Sequence, residues 1–199
     1  MLLHESLKDY RLILASQSPR RKMLLEGLDL TFQVLVKEAI DESYPEDLDM
    51  TEIPEYLARK KSDHYVDNLD ERAIVITADT IVWLDDKVVG KPVDLEDARN
   101  IISRLSGNTH TVVTGVCIRS AKKMKVFHSV SRVHFRKLDP ADIDYYIDTY
   151  QPYDKAGAYG IQEWIGYVGI EEIEGSFFNV MGLPVQKLYH ELMEFVENT

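Results

Sequence analysis

The chain has few cysteines and no long apolar run. Its one cysteine among 199 residues, Cys117, allows neither an intrachain disulfide nor a cysteine-based zinc site, as is usual in a reducing cytosol. No segment approaches the roughly 18 to 20 apolar residues of a membrane span, and the first residues lack the apolar stretch of a signal peptide. These absences predict a cytoplasmic protein that has no membrane partner.

Basic residues are also scarce. The 23 lysines and arginines face 34 acidic residues, which gives a formal net charge of -11. Because binding to nucleic acid depends on excess basic charge, this balance argues against a nucleic-acid partner. A polyanionic ligand would have to meet a local cluster of basic residues, and such clusters are therefore informative.

Two common ligand motifs are missing. The six histidines show no paired spacing, so a histidine zinc site is not expected. The segment Gly90-Lys91-Pro92 superficially resembles a phosphate-binding P-loop. However, Asp85 stands where a P-loop needs its first glycine, and Pro92 stands where it needs serine or threonine. A kinase or ATPase of the P-loop type is therefore disfavoured.

The pattern of apolar residues predicts a mixed α/β fold. The run Leu12–Ala15, followed by Ser18 as N-cap and Pro19 as first helical residue, predicts a strand, a loop and a helix. We expect one domain over residues 1–199, with residues 1–10 as an N-terminal extension and a curved mixed sheet flanked by helices in two lobes around a cleft. Further strands are predicted at 32–36, 73–77, 80–84, 88–89, 110–118, 126–135 and 167–173, and further helices at 51–65, 95–105, 140–150 and 183–196.

The segment Ser16–Arg21 combines a predicted helix start with two adjacent arginines. Free backbone N–H groups and the positive end of the helix dipole favour an anion there, and Arg20 and Arg21 can each bind phosphate oxygens in pairs. The alternative is a capped helix with two solvated arginines, but basic residues in the first turn oppose the dipole. The pattern therefore favours a phosphate site.

Asp79 follows the apolar run Ile74–Ile76. An acid at the end of a buried strand is costly unless it is paired or bound to metal, and ligand sites gather at the carboxyl ends of strands. A turn aspartate bonded to nearby backbone is an equally good interpretation. In the acidic loop, Asp41-Glu42 is by itself a solvated charge pair, yet Glu42 near Asp79 could hold Mg²⁺.

The segment Asp154–Gln162 is rich in small residues, which let a backbone approach a ligand closely. Lys155, Tyr159 and Gln162 supply charge, a stacking surface and an amide suited to reading a base. The alternative is a glycine-rich turn with a structural tyrosine. Lys91, taken alone, is best interpreted as a solvated turn lysine.

Together these segments resemble the Maf family of inosine triphosphatase-like nucleotide pyrophosphatases. The resemblance spans Leu12 to Val185; any one of its motifs is weak, but all of them in order are specific. The matching segments are Leu14–Arg21, Asp41-Glu42, Ala58–Lys61, Ala78–Thr80, Gly90–Pro92, Asp154–Gln162 and Gly182–Pro184.

The resemblance implies a hydrolase that converts a nucleoside triphosphate to its monophosphate and pyrophosphate. Arg20, Thr80 and Gln162 match the branch of the family that acts on dTTP and UTP, for which clearance of non-standard nucleotides is a further role. The branch that acts on 7-methyl-GTP differs at these places and ranks second. The alternative from another class is a non-catalytic, nucleotide-sensing regulator of cell division. The resemblance also implies a homodimer.

The same resemblance suggests a role for each residue. Asp79 would accept a proton from the attacking water, and Glu42 and Asp79 would bind Mg²⁺ or Mn²⁺. Because an ordinary aspartate is a weak base, the mechanism favours activation of water by the metal. Lys60 departs from the family pattern, which has glutamate before the functional lysine, so the local charge balance differs. The expected phosphate-binding residues are Ser16, Arg21, Lys61, Lys91 and Lys155.

Overall fold

The fold is seen in a computed structural model, which describes residues 2–37 and 40–197. Eight helices and seven strands lie in these ranges, with short 3₁₀ turns at Val66–Asn68 and Ala156–Ala158. The strands are β1 Arg11–Leu14, β2 Gln33–Val34, β3 Ala73–Leu84, β4 Lys87–Val89, β5 Thr109–Arg119, β6 Met124–Phe135 and β7 Ile170–Glu174. The helices are α1 Leu3–Ser6, α2 Pro19–Glu26, α3 Glu52–Asp63, α4 Leu95–Leu105, α5 Pro140–Tyr150, α6 Trp164–Gly169, α7 Phe177–Val180 and α8 Val185–Glu197.

The strands form one seven-stranded sheet in the order β2-β1-β3-β5-β6-β7, with β4 paired to β3. Strand β1 runs parallel to both β2 and β3, whereas β4 is antiparallel to β3 and β7 is antiparallel to β6. Helices flank this mixed sheet, and the prediction of a mixed α/β fold is confirmed.

By its internal contacts the chain divides into two compact units. The first unit comprises Met1–Asp79, Thr114–Ser129 and Gly182–Thr199, and the second comprises Thr80–Val113 and Val130–Met181. This division agrees with the expected two lobes. The number of independent domains stays a prediction.

The first unit is built on the parallel pairing of β1 with β3, which runs from Arg11 opposite Ala73 to Leu14 opposite Ile76. Both strands are buried almost throughout, as the run of apolar residues requires. Helix α1 packs on α8, where the Leu3 N–H donates to the Tyr189 hydroxyl at 3.3 Å, and the Leu3 side chain is fully buried. The expected N-terminal extension is therefore part of this unit's core.

The second unit contains the β3–β4 hairpin and the packed pair α4 and α5. Asp85 and Asp86 both take positive φ in the hairpin turn, a conformation that aspartate tolerates better than most residues. Helix α4 begins after Asp94, whose side chain accepts a hydrogen bond from the Asp97 N–H and so caps the helix. Helix α5 matches its predicted bounds.

Several sequence predictions were wrong in detail. Helices α1 and α7 were not predicted, and the strand predicted at 167–173 begins only at Ile170, because residues Trp164–Gly169 form α6. The strand predicted at 32–36 shortens to Gln33–Val34, and the two strands predicted at 73–77 and 80–84 form one continuous strand. Helix α6 was missed, since its two glycines and aromatic residues have low helix propensity. Glycine is required within this helix, because a Cβ on Gly166 would lie 1.8 Å from the carbonyl oxygen of Ile161.

Gly115 provides a test of the packing that positions α3. A Cβ at this residue would lie 2.3 Å from both the carbonyl carbon and oxygen of Pro54 in α3. We expect Gly115→Ala to lower the free energy of unfolding by about 3 kcal/mol, because the helix backbone would have to move. The measurement is urea unfolding. Gly27→Ala is the control, since its Cβ would meet nothing closer than 3.4 Å; equal midpoints for the two variants would contradict the packing argument.

Candidate active site

The start of α2 has the geometry that the sequence predicts. Ser18 caps the helix by accepting a hydrogen bond from the Arg21 N–H at 3.4 Å, and Pro19 is the first helical residue. The Ser16 hydroxyl accepts a hydrogen bond from the Ser18 N–H at 3.2 Å. These two bonds fix the loop that joins the carboxyl end of β1 to the first turn of α2, which carries both arginines.

Arg21 is held in place within the first unit. Its Nε donates to the carbonyl oxygen of Gly182 at 2.8 Å, which links two segments that lie far apart in the sequence. Burial lowers the pKa of Arg21, while the charges of Asp79 and Glu42 act in the opposite direction and that of Arg20 adds to the lowering. An arginine has so high an ordinary pKa that it stays charged. The structure thus gathers Arg20, Arg21, Glu42 and Asp79 into one electrostatic neighbourhood.

Lys61 on α3 joins the two predicted acidic residues. Its Nζ lies 2.8 Å from Glu42 Oε1 and 2.5 Å from Asp79 Oδ1. The side chains of Lys61 and Asp79 are 15% and 13% exposed, so their ion pair is largely shielded from water, whereas Glu42 is 53% exposed. Asp79 follows the last pairing of β3 with β1, at the carboxyl end of the parallel ladder, as expected for a ligand site.

Lys60 fixes the loop that carries Glu42. Its Nζ donates to Asp41 Oδ2 at 2.8 Å and to the carbonyl oxygen of Ser43 at 2.9 Å. Hydrogen bonds from Lys60 and then from Ser43 hold the pKa of Asp41 well below its usual range. The adjacent residues Lys60 and Lys61 of α3 therefore bind the adjacent loop residues Asp41 and Glu42. Lys60, which departs from the family pattern, thus holds the loop in place.

The donor set suits a hard divalent cation. Glu42 and Asp79 already converge on one positive group, the Lys61 ammonium, and carboxylate oxygens are the ligands that Mg²⁺ prefers. Within residues 2–37 and 40–197 no group of three or more acidic, histidine or cysteine side chains could hold a metal by itself. Magnesium commonly binds to one or two carboxylates with substrate phosphates and water as its other ligands, so two carboxylates fit.

In the second unit the structure brings two further predicted segments together. The Gly157 N–H donates to the carbonyl oxygen of Gly90 at 3.0 Å, which places the turn that contains Lys91 beside the start of the glycine-rich segment. Gly157 has a φ of 73°, and a Cβ there would lie 3.0 Å from Val82. Lys91 is exposed.

Lys155 differs from Lys91 in its surroundings. Its side chain is only 9% exposed, and its Nζ lies 2.7 Å from Asp154 Oδ1 and 3.3 Å from Glu163 Oε1. A buried ammonium needs such partners. Sequence reasoning missed Glu163, because an acid beside a glutamine in a loop carries no distinctive local pattern.

Gln162 and Thr80 are partly buried in the second unit, and Thr80 directly follows Asp79 in β3. The Oε1 atom of Gln162 is buried and accepts no hydrogen bond from any residue that the structure describes. A buried acceptor without a donor costs about 1 to 3 kcal/mol. The atom is therefore suited to a ligand that donates a hydrogen bond.

Tyr159 fits the structural interpretation rather than a stacking surface. It is 6% exposed and packs edge-on against Phe135 and His110, and its hydroxyl is hydrogen bonded to His110 Nε2 at 2.7 Å. Burial raises the pKa of Tyr159 and lowers the pKa of His110 to about 4. Both residues therefore belong to the neutral core of the second unit.

Clustered arginines at a capped helix start and a lysine between two carboxylates are typical of proteins that bind phosphorylated ligands together with a metal ion. The chain belongs to the Maf family, since the profile of Maf-like proteins matches residues 11–195. Among the described residues, no helix is both long and apolar enough to cross a membrane.

Relatives named dTTP/UTP pyrophosphatase occur in Parabacteroides distasonis, Bacteroides thetaiotaomicron and Porphyromonas gingivalis. They are 55%, 53% and 50% identical to this chain, over 96%, 94% and 98% of its length and 99%, 97% and 98% of their own. A solved nucleoside-triphosphatase / dITP/XTP pyrophosphatase from Mycobacterium abscessus aligns with 94% of this chain and 97% of its own, at 11% identity and a TM-score of 0.41. The likeness to inosine triphosphatases stays a prediction, because so low a score does not establish a common fold.

His110 predicts a pH dependence of stability. Its folded-state pKa of about 4 lies below the unfolded value of about 6.5, so the unfolded chain takes up the proton first as the pH falls. We expect the free energy of unfolding to decrease by about 3 kcal/mol between pH 6.5 and pH 4 from this residue. Urea unfolding across this range measures the effect. His110→Gln should flatten the slope, whereas the exposed-site control His4→Gln should not; equal slopes in all three proteins would refute the assignment.

Proposed function

We propose that this protein hydrolyses dTTP and UTP to the nucleoside monophosphate and pyrophosphate. The observation that carries the proposal is the identity of 50 to 55% to relatives named for this activity, over nearly the full length of both chains. The charge arrangement of the first unit supports it, because Arg21, Lys61, Glu42 and Asp79 are the groups that cleavage of a phosphoanhydride needs.

In the proposed reaction a water molecule attacks the α-phosphorus, the bond from that phosphorus to the α–β bridging oxygen breaks, and pyrophosphate leaves. Asp79 accepts the proton of the attacking water. Arg21 and Lys61 neutralise phosphate charge, and the capped start of α2, including Ser16, offers N–H and hydroxyl donors to phosphate oxygens. The work of these residues is positioning and charge neutralisation rather than covalent chemistry.

Glu42 and Asp79 would hold the divalent ion, Mg²⁺ or Mn²⁺. When bound, such an ion lowers the pKa of coordinated water and neutralises phosphate oxygens. Lys61 has a second task in this scheme. Its ammonium keeps the two carboxylates together while no other cation is present, which offsets their mutual repulsion.

We propose that Gln162 recognises the base. Uracil and thymine carry an N3–H donor, which matches the buried Oε1 acceptor of Gln162. Cytosine presents a bare nitrogen acceptor at N3 and cannot make that bond. A ligand that cannot make this hydrogen bond binds much more weakly, because the buried acceptor of the site then stays unpaired. Arg20 and Thr80 are proposed to contribute to the same preference, on the strength of the family resemblance.

Further expectations accompany the activity. Lys91 is exposed and could reach phosphate, whereas Lys155 is already engaged by two carboxylates and would neutralise Glu163 before any ligand binds. We also propose that the protein is cytoplasmic, with support from its single cysteine. On the strength of the family resemblance, we propose that it is a homodimer that clears non-standard nucleotides.

The decisive experiment is a pyrophosphate-release screen. The purified protein is offered canonical triphosphates, modified triphosphates and 7-methyl-GTP, with Mg²⁺, Mn²⁺ or chelator. The proposal expects pyrophosphate and monophosphate from dTTP and UTP, with the signal lost in chelator. Preferred turnover of 7-methyl-GTP, or binding of UTP that leaves it intact, would reject it in favour of the other family branch or of a nucleotide sensor.

Asp79→Asn should reduce kcat by about 10²- to 10⁴-fold, because the substituted amide cannot accept the proton. The fold should persist, since Lys61 keeps Glu42 as a partner. Steady-state pyrophosphate release and circular dichroism measure the two effects. Asp85→Asn, on the exposed hairpin turn, is the matched control and should keep normal turnover; comparable rates in the two variants would remove Asp79 from the mechanism.

Gln162→Leu should lower kcat/KM for UTP by about 10- to 100-fold, because one hydrogen bond to the base contributes about 1 to 3 kcal/mol. The rate with CTP should change much less, so the preference for UTP over CTP should narrow. Competition kinetics with the two substrates gives this ratio directly. Gln186→Leu, at an exposed residue of α8, is the control; an unchanged ratio in Gln162→Leu would show that the amide does not recognise the base.

A further inference from the structure

The four-residue turn Gly160–Glu163, which carries Gln162, is held at both ends by one hydroxyl group. The Tyr146 hydroxyl accepts a hydrogen bond from the Gly160 N–H at 2.9 Å and donates one to Glu163 Oε2. The turn is closed by its own backbone as well, since the Glu163 N–H donates to the carbonyl oxygen of Gly160 at 3.0 Å. Gln162 therefore lies inside a loop whose first and last residues cannot separate without breaking these bonds.

The turn is closely packed on both sides. A Cβ on Gly160 would lie 2.7 Å from the carboxyl carbon of Glu163, because the Glu163 side chain folds back over the turn. On the other side, Gly166 of α6 lies directly against the carbonyl oxygen of Ile161. Both contacts limit the movement of the backbone on either side of Gln162.

The two side chains that hold the turn are themselves fixed. Tyr146 lies on α5, is fully buried and stacks on Tyr150 with 5.1 Å between the ring centroids. Glu163 is 18% exposed, and the Lys155 ammonium balances its charge at 3.3 Å. A buried carboxylate keeps its place when it is both paired and hydrogen bonded.

We propose that Tyr146 and Glu163 are positioning residues that set the base preference by fixing the amide of Gln162. The inference rests on the proposed function and deepens it. It also gives Lys155 a role different from phosphate binding: its ammonium neutralises Glu163 and keeps this clamp closed. We call Tyr146, Glu163 and Lys155 together the clamp.

The effect of the clamp should be specific to the base. A hydrogen bond weakens steeply as its distance and angle depart from the optimum, so a small displacement of Gln162 costs recognition of N3–H. A mobile amide could also rotate and offer its NH₂ to the N3 acceptor of cytosine. Loss of the clamp therefore lowers activity with UTP and raises relative activity with CTP, which general destabilisation would not do.

Tyr146→Phe is the sharpest test, because it removes the hydroxyl and keeps the buried ring. The measurement is the ratio of kcat/KM for UTP to that for CTP. We expect the ratio to fall at least about fivefold, mainly through KM for UTP. Tyr145→Phe is the matched control: this neighbour is 51% exposed, and its ring contacts Trp164. Its ratio should equal that of the unmodified protein.

A double-variant cycle tests whether Tyr146 acts through Gln162. In the Gln162→Leu background there is no amide to position, so Tyr146→Phe should cause no further change in the ratio. Independent, multiplied effects would overturn the proposal. It would also be overturned if Tyr146→Phe lowered the rates with UTP and CTP equally, since that result indicates a purely structural role.

The clamp and the proposed function fail in different ways. Calorimetric binding of UMP and CMP measures the same base preference without hydrolysis. If no triphosphate yields pyrophosphate, the proposed function is rejected. The role of the clamp is then tested by the ratio of UMP to CMP affinity in Tyr146→Phe, compared with that of the unmodified protein. An active enzyme whose preference survives Tyr146→Phe in both assays would reject the clamp alone.

Discussion

The candidate active site in the first unit depends on the ion pairs of the Lys61 ammonium, which lies 2.8 Å from Glu42 and 2.5 Å from Asp79. Two carboxylates cannot be brought together in a partly buried place without a cation between them or nearby. Lys61 on α3 supplies this cation, and Arg21 on α2 adds further positive charge. Lys60 binds Asp41 and so holds the loop that carries Glu42. The acidic chain thus concentrates a few basic groups where they are required.

The backbone makes this arrangement possible in two ways. Strands β1 and β3 are parallel neighbours, so the segment after β1 and Asp79 on β3 both lie beyond the end of the same ladder. Helix α3 comes close because Gly115 lacks a side chain where the backbone of Pro54 passes. Parallel pairing and one glycine therefore place a helix, a loop and a strand within reach of a common cation.

The second unit uses buried polar groups differently. His110 and Tyr159 pair with each other as neutral groups inside the core. Tyr146, Glu163 and Lys155 form a chain of ionic and hydrogen bonds around one turn. Such networks specify a unique local conformation when every member is satisfied. Among the described residues, Gln162 Oε1 and the Nδ1 atom of His110 are buried without a hydrogen-bond partner in this unit, and the Gln162 acceptor is the one that we propose a ligand satisfies.

Sequence patterns predicted the local features well wherever the cause is local. Ser18 and Pro19 mark the start of α2, because capping chemistry involves only a few neighbouring residues. Helix α6 was missed because its glycines and aromatic residues are poor helix formers, so its local pattern does not indicate a helix.

By itself, the sequence determined the mixed α/β class, the membership of a family and the residue types that phosphate chemistry requires, since these follow from periodicity, order and side-chain chemistry. Only the tertiary structure decided which charges meet. Lys61 could have been solvated, Lys155 could have faced a ligand, and Tyr146 showed no sign of a role. The contacts that decide their roles, Lys61 with Glu42, Lys155 with Glu163 and Tyr146 with Gly160, join residues that are not neighbours in the sequence. Contacts between side chains distant along the chain depend on the packing of whole elements, and no local pattern encodes that packing.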